Sequence, residues 1–373
     1  MAQRNRDIDK AAIAMAKAIP GHNDVIAIMF TAAIAGKHVA LLGPPGEAKS
    51  MMARRFADSI GGKFFESMLM RTSVMSELYG PVSVKGIEND KYVRVGADYI
   101  QDADVAFVDE TFNGSSVILN SMLSLMNERK FQGKPSPLKI MIGASNNLPD
   151  GFRKGTKGVP TKTNGDDLRA FWDRFSMRVH VYPIKKDSEL RSIIIDKCAE
   201  SPQPTWDLAR YQLEHKLRTS DDSQFDDFLS FIGKLGANGI MLSTRRKVWL
   251  WEILHGAAIA MNEPRINNKC YMIAVSACWT TKDQIKGALA AARDMVDPKT
   301  GAINAIVDSV VKKFNEYMHY RDTDMNSAVI AMGPLSLELK NAVRRIREVD
   351  PTSDEIDNMR GMQMQLAKHA GAS

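Results

Sequence analysis

Short apolar runs alternate with amphipathic helical stretches along the first half of the chain, and the runs end at glycine or polar residues. Such short runs are typical of buried strands, and the 3.6-residue spacing between them predicts helices. Alternating strands and helices favour a parallel sheet covered on both faces, which makes the fold class α/β. The predicted strands are residues 38–42, 64–70, 105–108 and 138–144, and the predicted helices are residues 8–35 (broken at Pro20-Gly21), 50–60 and 115–129.

The strand pattern fades after about residue 185, and the remaining sequence has mainly helical spacing. We therefore predict an αβα core over residues 8–185, a helical lid over residues 186–295 and a helical C-terminal extension over residues 296–373. Residues 82–84 and 92–95 flank a polar turn and predict a small hairpin. Residues 151–165 are rich in Gly, Lys and Thr without periodicity, which predicts a surface loop.

Composition excludes several classes of protein. The net charge of +6 and pI near 9.0 are mild for 373 residues, so nucleic-acid binding is permitted but not required. The three cysteines (Cys198, Cys270 and Cys278) are too few for a disulfide framework and fit a reducing cytosol. No C-x-x-C pair indicates zinc, no histidine spacing indicates a hydrolytic triad, and no apolar run predicts a membrane span.

A glycine-rich segment between the first predicted strand and the next helix indicates phosphate binding. It follows the P-loop pattern G-x-x-x-x-G-K-[ST], except that Ala48 stands in place of the last glycine. Backbone N–H groups of such a loop cradle phosphates, while Lys49 would reach the β- and γ-phosphates and Ser50 would bind Mg²⁺. The predicted ATP-binding segment is Gly43, Pro44, Pro45, Gly46, Glu47, Ala48, Lys49 and Ser50.

Two adjacent carboxylates end the predicted strand at residues 105–108. In this Walker B arrangement Asp109 would hold Mg²⁺, mostly through water, and Glu110 would orient and polarise the attacking water. Paired acids at the end of a buried strand are costly without a nearby cation, so the preceding P-loop strengthens this interpretation.

Six segments in this order resemble the MoxR family of AAA+ ATPases, and within it the RavA-like branch. They are LLGPPGEAKS, LYGPVSV, VAFVDETFNGSSVILNSMLSLMNERKF, GASNNLP, FWDRFSMRV and LSTRRKVW, and they extend from about residue 21 to about residue 263. Alanine before the P-loop lysine is usual in that family. The loop at residues 151–165 is longer than the family's usual connection, and residues after about 296 match no family feature.

The resemblance implies roles for residues that spacing alone leaves open. Asn146 looks like sensor 1, with Asn147 as the weaker candidate, and Arg174 looks like the arginine finger, with Arg178 in reserve. Arg245 looks like sensor 2 on a lid helix capped by Ser243, contacting phosphates in cis, and Arg246 is its alternative. Lys91 and Tyr92, in the predicted hairpin, resemble the helix-2 insert, although a plain surface hairpin is equally compatible.

The same resemblance implies a homo-hexameric ring that spends ATP on remodelling, assembling or maturing a protein complex. An unidentified protein client is expected, and many relatives act beside a partner that carries a von Willebrand A domain, which this chain lacks. The alternative is a nucleic-acid-associated motor using Lys154, Lys157 and Lys162, but Phe152 alone gives that loop little capacity to stack bases.

Overall fold

The structure, a computed structural model, describes residues 6–91, 93–94, 97–148, 165–195, 203–219 and 221–370. The chain divides into two compact units, Met1–Ala288 and Leu289–Ser373, and helix α13 crosses the division. The predicted separation of a core from a lid stays a prediction, because one compact unit contains most of both.

The first unit is a five-stranded parallel sheet with helices, as the alternating pattern predicts. The strand order is β2-β3-β6-β1-β7, and β4 and β5 form a separate two-stranded antiparallel ribbon. The elements are α1 (Asp7–Ala18), α2 (Asn23–Ile34), β1 (Val39–Leu42), α3 (Lys49–Ser59), β2 (Phe64–Met68), α4 (Met75–Tyr79), α5 (Val84–Glu88), β3 (Val105–Asp109), α6 (Ser116–Glu128), β4 (Lys130–Phe131), β5 (Lys134–Pro135), β6 (Ile140–Ser145), α7 (Gly165–Arg174), β7 (Met177–His180), α8 (Asp187–Ile195), α9 (Leu208–Leu217), α10 (Asp222–Ala237), α11 (Thr244–Ala260), α12 (Asn268–Cys278) and α13 (Gln284–Val296).

The sheet is buried, which explains why its strands read as apolar runs. Every residue of β1 and β6 is buried, and β3 is buried up to Val108. Side chains from α6 and α7 complete one apolar cluster with β3 and β6, including the fully buried Phe171 and Trp172. Because all five strands are parallel, their carboxyl ends meet at one edge of the sheet.

Two parts of the sheet region differ from the sequence prediction. β7 was not predicted as a strand, although the alternation of buried Phe175, Met177, Val179 and Val181 is a strand signal. Nor are residues 82–95 a simple hairpin, because the short helix α5 lies where the turn was expected. One antiparallel bridge joins Val82 to Arg94, and the Ser83 hydroxyl caps the helix by accepting from the Gly86 N–H at 3.0 Å.

The second unit is helical and has its own core. Its helices are the last part of α13, α14 (Pro298–Thr323), α15 (Met325–Val349) and α16 (Glu355–Ala370). The Asp324 carboxylate caps α15 by accepting from the N–H groups of Asn326 and Ser327. Apolar side chains of α14, α15 and α16, among them Tyr317, Leu339 and Met359, pack together in one buried cluster.

Candidate nucleotide site

The loop that follows β1 has the backbone conformation that a phosphate cradle requires. Gly46 and Ala48 both have positive φ, at 87° and 55°, so the alanine adopts the left-handed geometry at a cost of ~1 kcal/mol. A Cβ at Gly43 would collide with the carbonyl oxygen of Val181. Gly43 and Gly46 are therefore needed for steric reasons, while Ala48 is tolerated under strain.

Lys49 is the first residue of α3 and is largely buried, with 8% of its surface exposed. Its ammonium donates to the carbonyl oxygens of Gly43 at 2.7 Å and Pro44 at 2.8 Å. Burial lowers the pKa of Lys49, and the nearby carboxylates of Asp109, Glu110 and Glu47 oppose that shift. Within the described part of the chain, the charged groups that oppose the effect of burial on this ammonium are thus the acids of the same site.

Asn146, which directly follows β6, joins Lys49 to Glu110, the acid that directly follows β3. Its side-chain Nδ2 donates to Glu110 Oε1 at 2.7 Å, and its Oδ1 accepts from Lys49 Nζ at 3.4 Å. The pairing of β6 with both β1 and β3 places Asn146 between these two residues. Predicted sensor 1, P-loop lysine and Walker B glutamate are therefore in contact.

Sequence reasoning missed two further residues of this site, Asn113, which contacts Glu110, and Thr111, which joins the strands beside it. Asn113 Nδ2 donates to Glu110 Oε2 at 3.2 Å, so both carboxylate oxygens are engaged. The buried Thr111 hydroxyl donates to the Val108 carbonyl at 2.5 Å and accepts from the Ala144 N–H at 3.0 Å, which joins β3 to β6. Glu110 itself has φ of 46°, an unfavourable geometry that is typical of functional sites. The signal that could have identified Thr111 is its place directly after the acidic pair, where a hydroxyl can bond the strand ends.

The side-chain oxygens at this edge fit Mg²⁺ bound together with a nucleotide. Asp109 accepts from the Glu110 N–H through one oxygen at 2.8 Å, and Ser50 lies half-buried in the first turn of α3. No cluster of three His, Cys, Asp or Glu side chains in the described residues could hold a metal alone. Mg²⁺ is commonly held by one or two protein oxygens plus water and phosphate oxygens, so Ser50 and Asp109 suffice as protein ligands.

Arg174 lies at the opposite edge of the sheet from Lys49. It ends α7 just before the start of β7, whereas Lys49 follows the carboxyl end of β1, which is parallel to β7. Its Nη1 donates to the Ala170 carbonyl at 3.4 Å and lies 3.9 Å from Asp173, while its buried Nε has no partner among the described residues. This position prevents Arg174 from reaching the P-loop of its own chain.

Arg178, the reserve candidate for the finger, lies in β7. It is 1% exposed, its guanidinium donates to the carbonyls of Trp279 at 2.7 Å and Trp172 at 3.2 Å, and it stacks on the Trp172 ring. Burial lowers the pKa of Arg178 well below its usual value. The side chain is fixed inside the unit and is not available to a neighbouring chain.

The two arginines of the predicted lid motif have different surroundings. Ser243 caps α11, as predicted, and Arg246 donates to Thr280 Oγ1 at 2.6 Å and to the carbonyls of Ala277 at 2.8 Å and Trp279 at 3.0 Å. Arg246 therefore satisfies carbonyls at the end of α12, which lack helical partners. Arg245 is exposed and contacts the ring of Trp249 at 5.9 Å.

The surroundings of Arg245 include Arg174, and its predicted role as sensor 2 in cis stays a prediction. Burial lowers the pKa of Arg174, and the charge of Arg245 lowers it further while Asp173 opposes the shift. Trp249, beside Arg245, lines the same cavity as Arg174 and Lys139. Arg174 and Arg245 are therefore near each other, at the edge of the sheet away from Lys49.

Some of the predicted residues lie outside the described part of the chain. Tyr92 and the loop at residues 151–164 lie outside the described residues, as do Lys154, Lys157, Lys162 and Cys198. Lys91 is exposed after α5. Cys270 and Cys278 are buried free thiols, consistent with core positions. None of the helices in the described part of the chain combines the length and apolar character of a membrane span.

Comparisons with known proteins bear on the family of this chain. The model of the MoxR domain in the MoxR-vWA-beta-propeller ternary systems matches residues 6–214, more than half of the chain. The uncharacterized proteins MJ0079 and MJ0812 of Methanocaldococcus jannaschii are each 32% identical over 59% of this chain. The matches cover 56% and 57% of those relatives, so the chain spans little more than half of their length.

A solved structure agrees with the fold. The crystal structure of a candidate ATPase from Cytophaga hutchinsonii superposes with a TM-score of 0.56 at 18% identity, covering 73% of this chain and 86% of that one. At this identity the likeness concerns architecture alone. The family match over residues 6–214 carries the assignment: this chain belongs to the MoxR family of AAA+ ATPases.

Proposed function

We propose that this chain binds ATP with Mg²⁺ and hydrolyses it between neighbouring subunits of a ring. The observation that carries the proposal is the Lys49–Asn146–Glu110 contact at one edge of the sheet, with Arg174 and Arg245 at the other. One edge offers groups for phosphate and water, and the opposite edge offers cations that cannot reach them within one chain.

In this proposal each group at the P-loop edge has one task. Lys49 would turn its ammonium from the carbonyls of Gly43 and Pro44 to the β- and γ-phosphates. Ser50 and Asp109 would hold Mg²⁺, which neutralises phosphate charge and orients the leaving group. Glu110 would polarise the attacking water, and Asn146 would fix the carboxylate and contact the γ-phosphate.

Arg174 and Arg245 would complete the site of the neighbouring subunit. The charge of Arg245 acts on Arg174, and the planar guanidinium of an arginine matches the oxygens of a phosphate. A contact that puts one edge of a subunit against the opposite edge of the next is heterologous, and such contacts close into rings. We expect a hexamer, with Arg174 as the finger in preference to the buried Arg178.

The work done by this cycle is the remodelling, assembly or maturation of a protein complex. The family model is described in systems that pair the MoxR domain with a von Willebrand A protein, so we expect a partner of that kind. The sequence motifs resemble those of the RavA-like branch, and we expect the chain to belong to it. The sparse cysteines fit action in the cytosol.

The test separates nucleotide binding, ATP hydrolysis and the action on a protein client. Lys49→Ala should lose nucleotide binding, and Glu110→Gln should bind ATP but hydrolyse it about 10²–10⁴-fold more slowly, since it lacks the general base. Tagged Glu110→Gln with ATP is then compared with Lys49→Ala in lysate, with and without nuclease. Proteins enriched only by the ATP-bound variant and unaffected by nuclease support remodelling, whereas enrichment lost with nuclease favours a nucleic-acid motor.

A further inference from the structure

The outward face of α15 is apolar at its centre, although nothing in the second unit covers it. Val329, Ile330 and Leu337 are 59%, 76% and 62% exposed. Leu337 follows Ile330 by seven residues and Val329 by eight, about two helical turns, so the three lie on one side of the helix, opposite the buried Leu335 and Leu339 of the core. Because the core already uses the other face, these three exposed side chains add nothing to folding of the unit.

Gly333 lies in the middle of this apolar face. A Cβ there would meet no atom within 4 Å apart from its chain neighbours, of which Pro334, inside α15, is itself more easily preceded by glycine in a helix. Glycine inside a helix costs about 1 kcal/mol relative to alanine. A residue without a side chain at the centre of an apolar face allows a second helix to approach closely, since interaxial distance depends on the side chains at the contact.

The two ends of the face carry opposite charge. At the amino end Asp324 is the N-cap residue of α15, while Asp322, near the end of α14, is paired with Arg321. At the carboxyl end lie Lys340, Arg344 and Arg347. Glu348 pairs with one of them, Arg344, at 4.0 Å. The amino end is therefore net negative and the carboxyl end net positive.

We propose that this face of α15 docks antiparallel against the same face of a second copy of this chain, with the two-fold axis at Gly333. Val329 of each copy then lies opposite Leu337 of the other. The same symmetry sets the acidic end of each helix against the basic end of its partner, whereas a parallel pair would set like charges together. The face is thus complementary to itself, which is the requirement for an isologous contact.

This contact goes beyond the proposed ATPase cycle and does not depend on nucleotide. A ring is built from a heterologous contact of the first unit, while α15 supplies a two-fold contact that can join two chains or two rings. A single pair of helices buries little area, so each contact is weak and reversible.

The test uses the full chain without nucleotide and measures mass against concentration by sedimentation. The wild type should associate reversibly. Leu337→Glu should raise the dissociation constant about tenfold or more, because it places two carboxylates in the apolar contact. Met364→Glu, at a 64% exposed methionine of α16, is the matched control and should associate as the wild type does.

A cross-link tests the position of the axis. Gly333→Cys should form a disulfide with its own copy on mild oxidation, and Met364→Cys should do so much more slowly. A wild type whose mass is independent of concentration, equal loss in both glutamate variants, or equal cross-linking of both cysteines overturns the proposal. Ring formation with ATP is scored separately, so the failure of one proposal leaves the other standing.

Discussion

Asn146 contacts Glu110 through its amide nitrogen, 2.7 Å from Oε1, and at the same time faces Lys49 with its amide oxygen at 3.4 Å. An amide supplies both the donor for the carboxylate and the acceptor for the ammonium. An aspartate would repel Glu110, and an alanine would leave one of its oxygens without this donor. The residue type at the end of β6 is thus explained by its two neighbours.

Replacing Asn146 with alanine should therefore impair hydrolysis more than binding. The loop and Lys49 remain, so ATP affinity should change little, while the hydrolysis rate should fall about 10²–10³-fold, as for loss of one positioned donor. Single-turnover hydrolysis and fluorescent-nucleotide binding measure the two effects. Asn147→Ala is the matched control, and equal loss of activity in both variants would count against a role for Asn146.

Mixing two inactive variants should restore activity if Arg174 acts on a neighbour. Arg174→Ala lacks the finger and Glu110→Gln lacks the base, but an interface that combines the intact edge of each contains both groups. Steady-state hydrolysis should rise on mixing to a fraction of the wild-type rate, under conditions in which subunits exchange. Mixtures that stay inactive despite demonstrated exchange would show that Arg174 does not act in trans.

The strain at Ala48 gives a pair of opposite expectations. Ala48→Gly removes the penalty of φ 55° but increases the freedom of the unfolded chain, so stability should change by less than about 1 kcal/mol and binding should persist. Ala48→Val adds a branched side chain to the left-handed conformation and should weaken ATP binding. Calorimetric titration with a non-hydrolysable nucleotide compares them. Equal binding by both would mean that this backbone geometry is not needed for the phosphates.

Neighbouring arginines of α11 should separate stability from catalysis. Arg246→Ala leaves the Ala277 and Trp279 carbonyls without this donor and should lower stability by about 1–3 kcal/mol. Arg245→Ala removes an exposed side chain, so the thermal midpoint should hardly move while ATP hydrolysis falls. Thermal denaturation and hydrolysis assays on both variants check this. A stability loss from Arg245→Ala as large as that from Arg246→Ala would contradict it.

The sequence predicted the P-loop edge well because each part of it is local. Apolar runs ending at Gly43, Asp109 and Ser145 identify three strands, and parallel strands bring such ends together without further information. The opposite edge depends on long-range packing. Arg178 is buried because it bonds Trp279, about a hundred residues further along the chain, whereas Arg245 is exposed. Local sequence does not distinguish these two environments.

The helical turn at α5 was missed for a related reason. Residues 82–95 alternate weakly enough to suit a hairpin, but the Ser83 side chain stabilises a helical start that competes with the strand. In the same way, Thr111 looks like an ordinary polar residue until β3 and β6 are paired around it. Local pattern identifies elements, whereas side-chain caps and cross-strand partners decide between close alternatives.

Acid should destabilise the fold through His38. Its Nδ1 accepts from the Met141 N–H at 2.8 Å and its Nε2 faces the Met126 carbonyl at 2.9 Å, which requires the neutral ring. Burial, assisted by Arg129, holds the pKa of His38 well below 6.5. Below about pH 6.5 the unfolded chain therefore binds a proton that the folded chain does not, and the free energy of unfolding falls by up to ~1.4 kcal/mol per pH unit.

His38→Gln is the variant that isolates this effect, because glutamine can accept and donate without titrating. Burial also lowers the pKa of His180, His215 and His255, so part of the acid sensitivity should remain. Denaturant unfolding at pH 7.5 and pH 5.5 gives the loss of stability for each protein. The wild type should lose about 1 kcal/mol more than the variant over this range, and parallel losses would place the acid-sensitive group elsewhere.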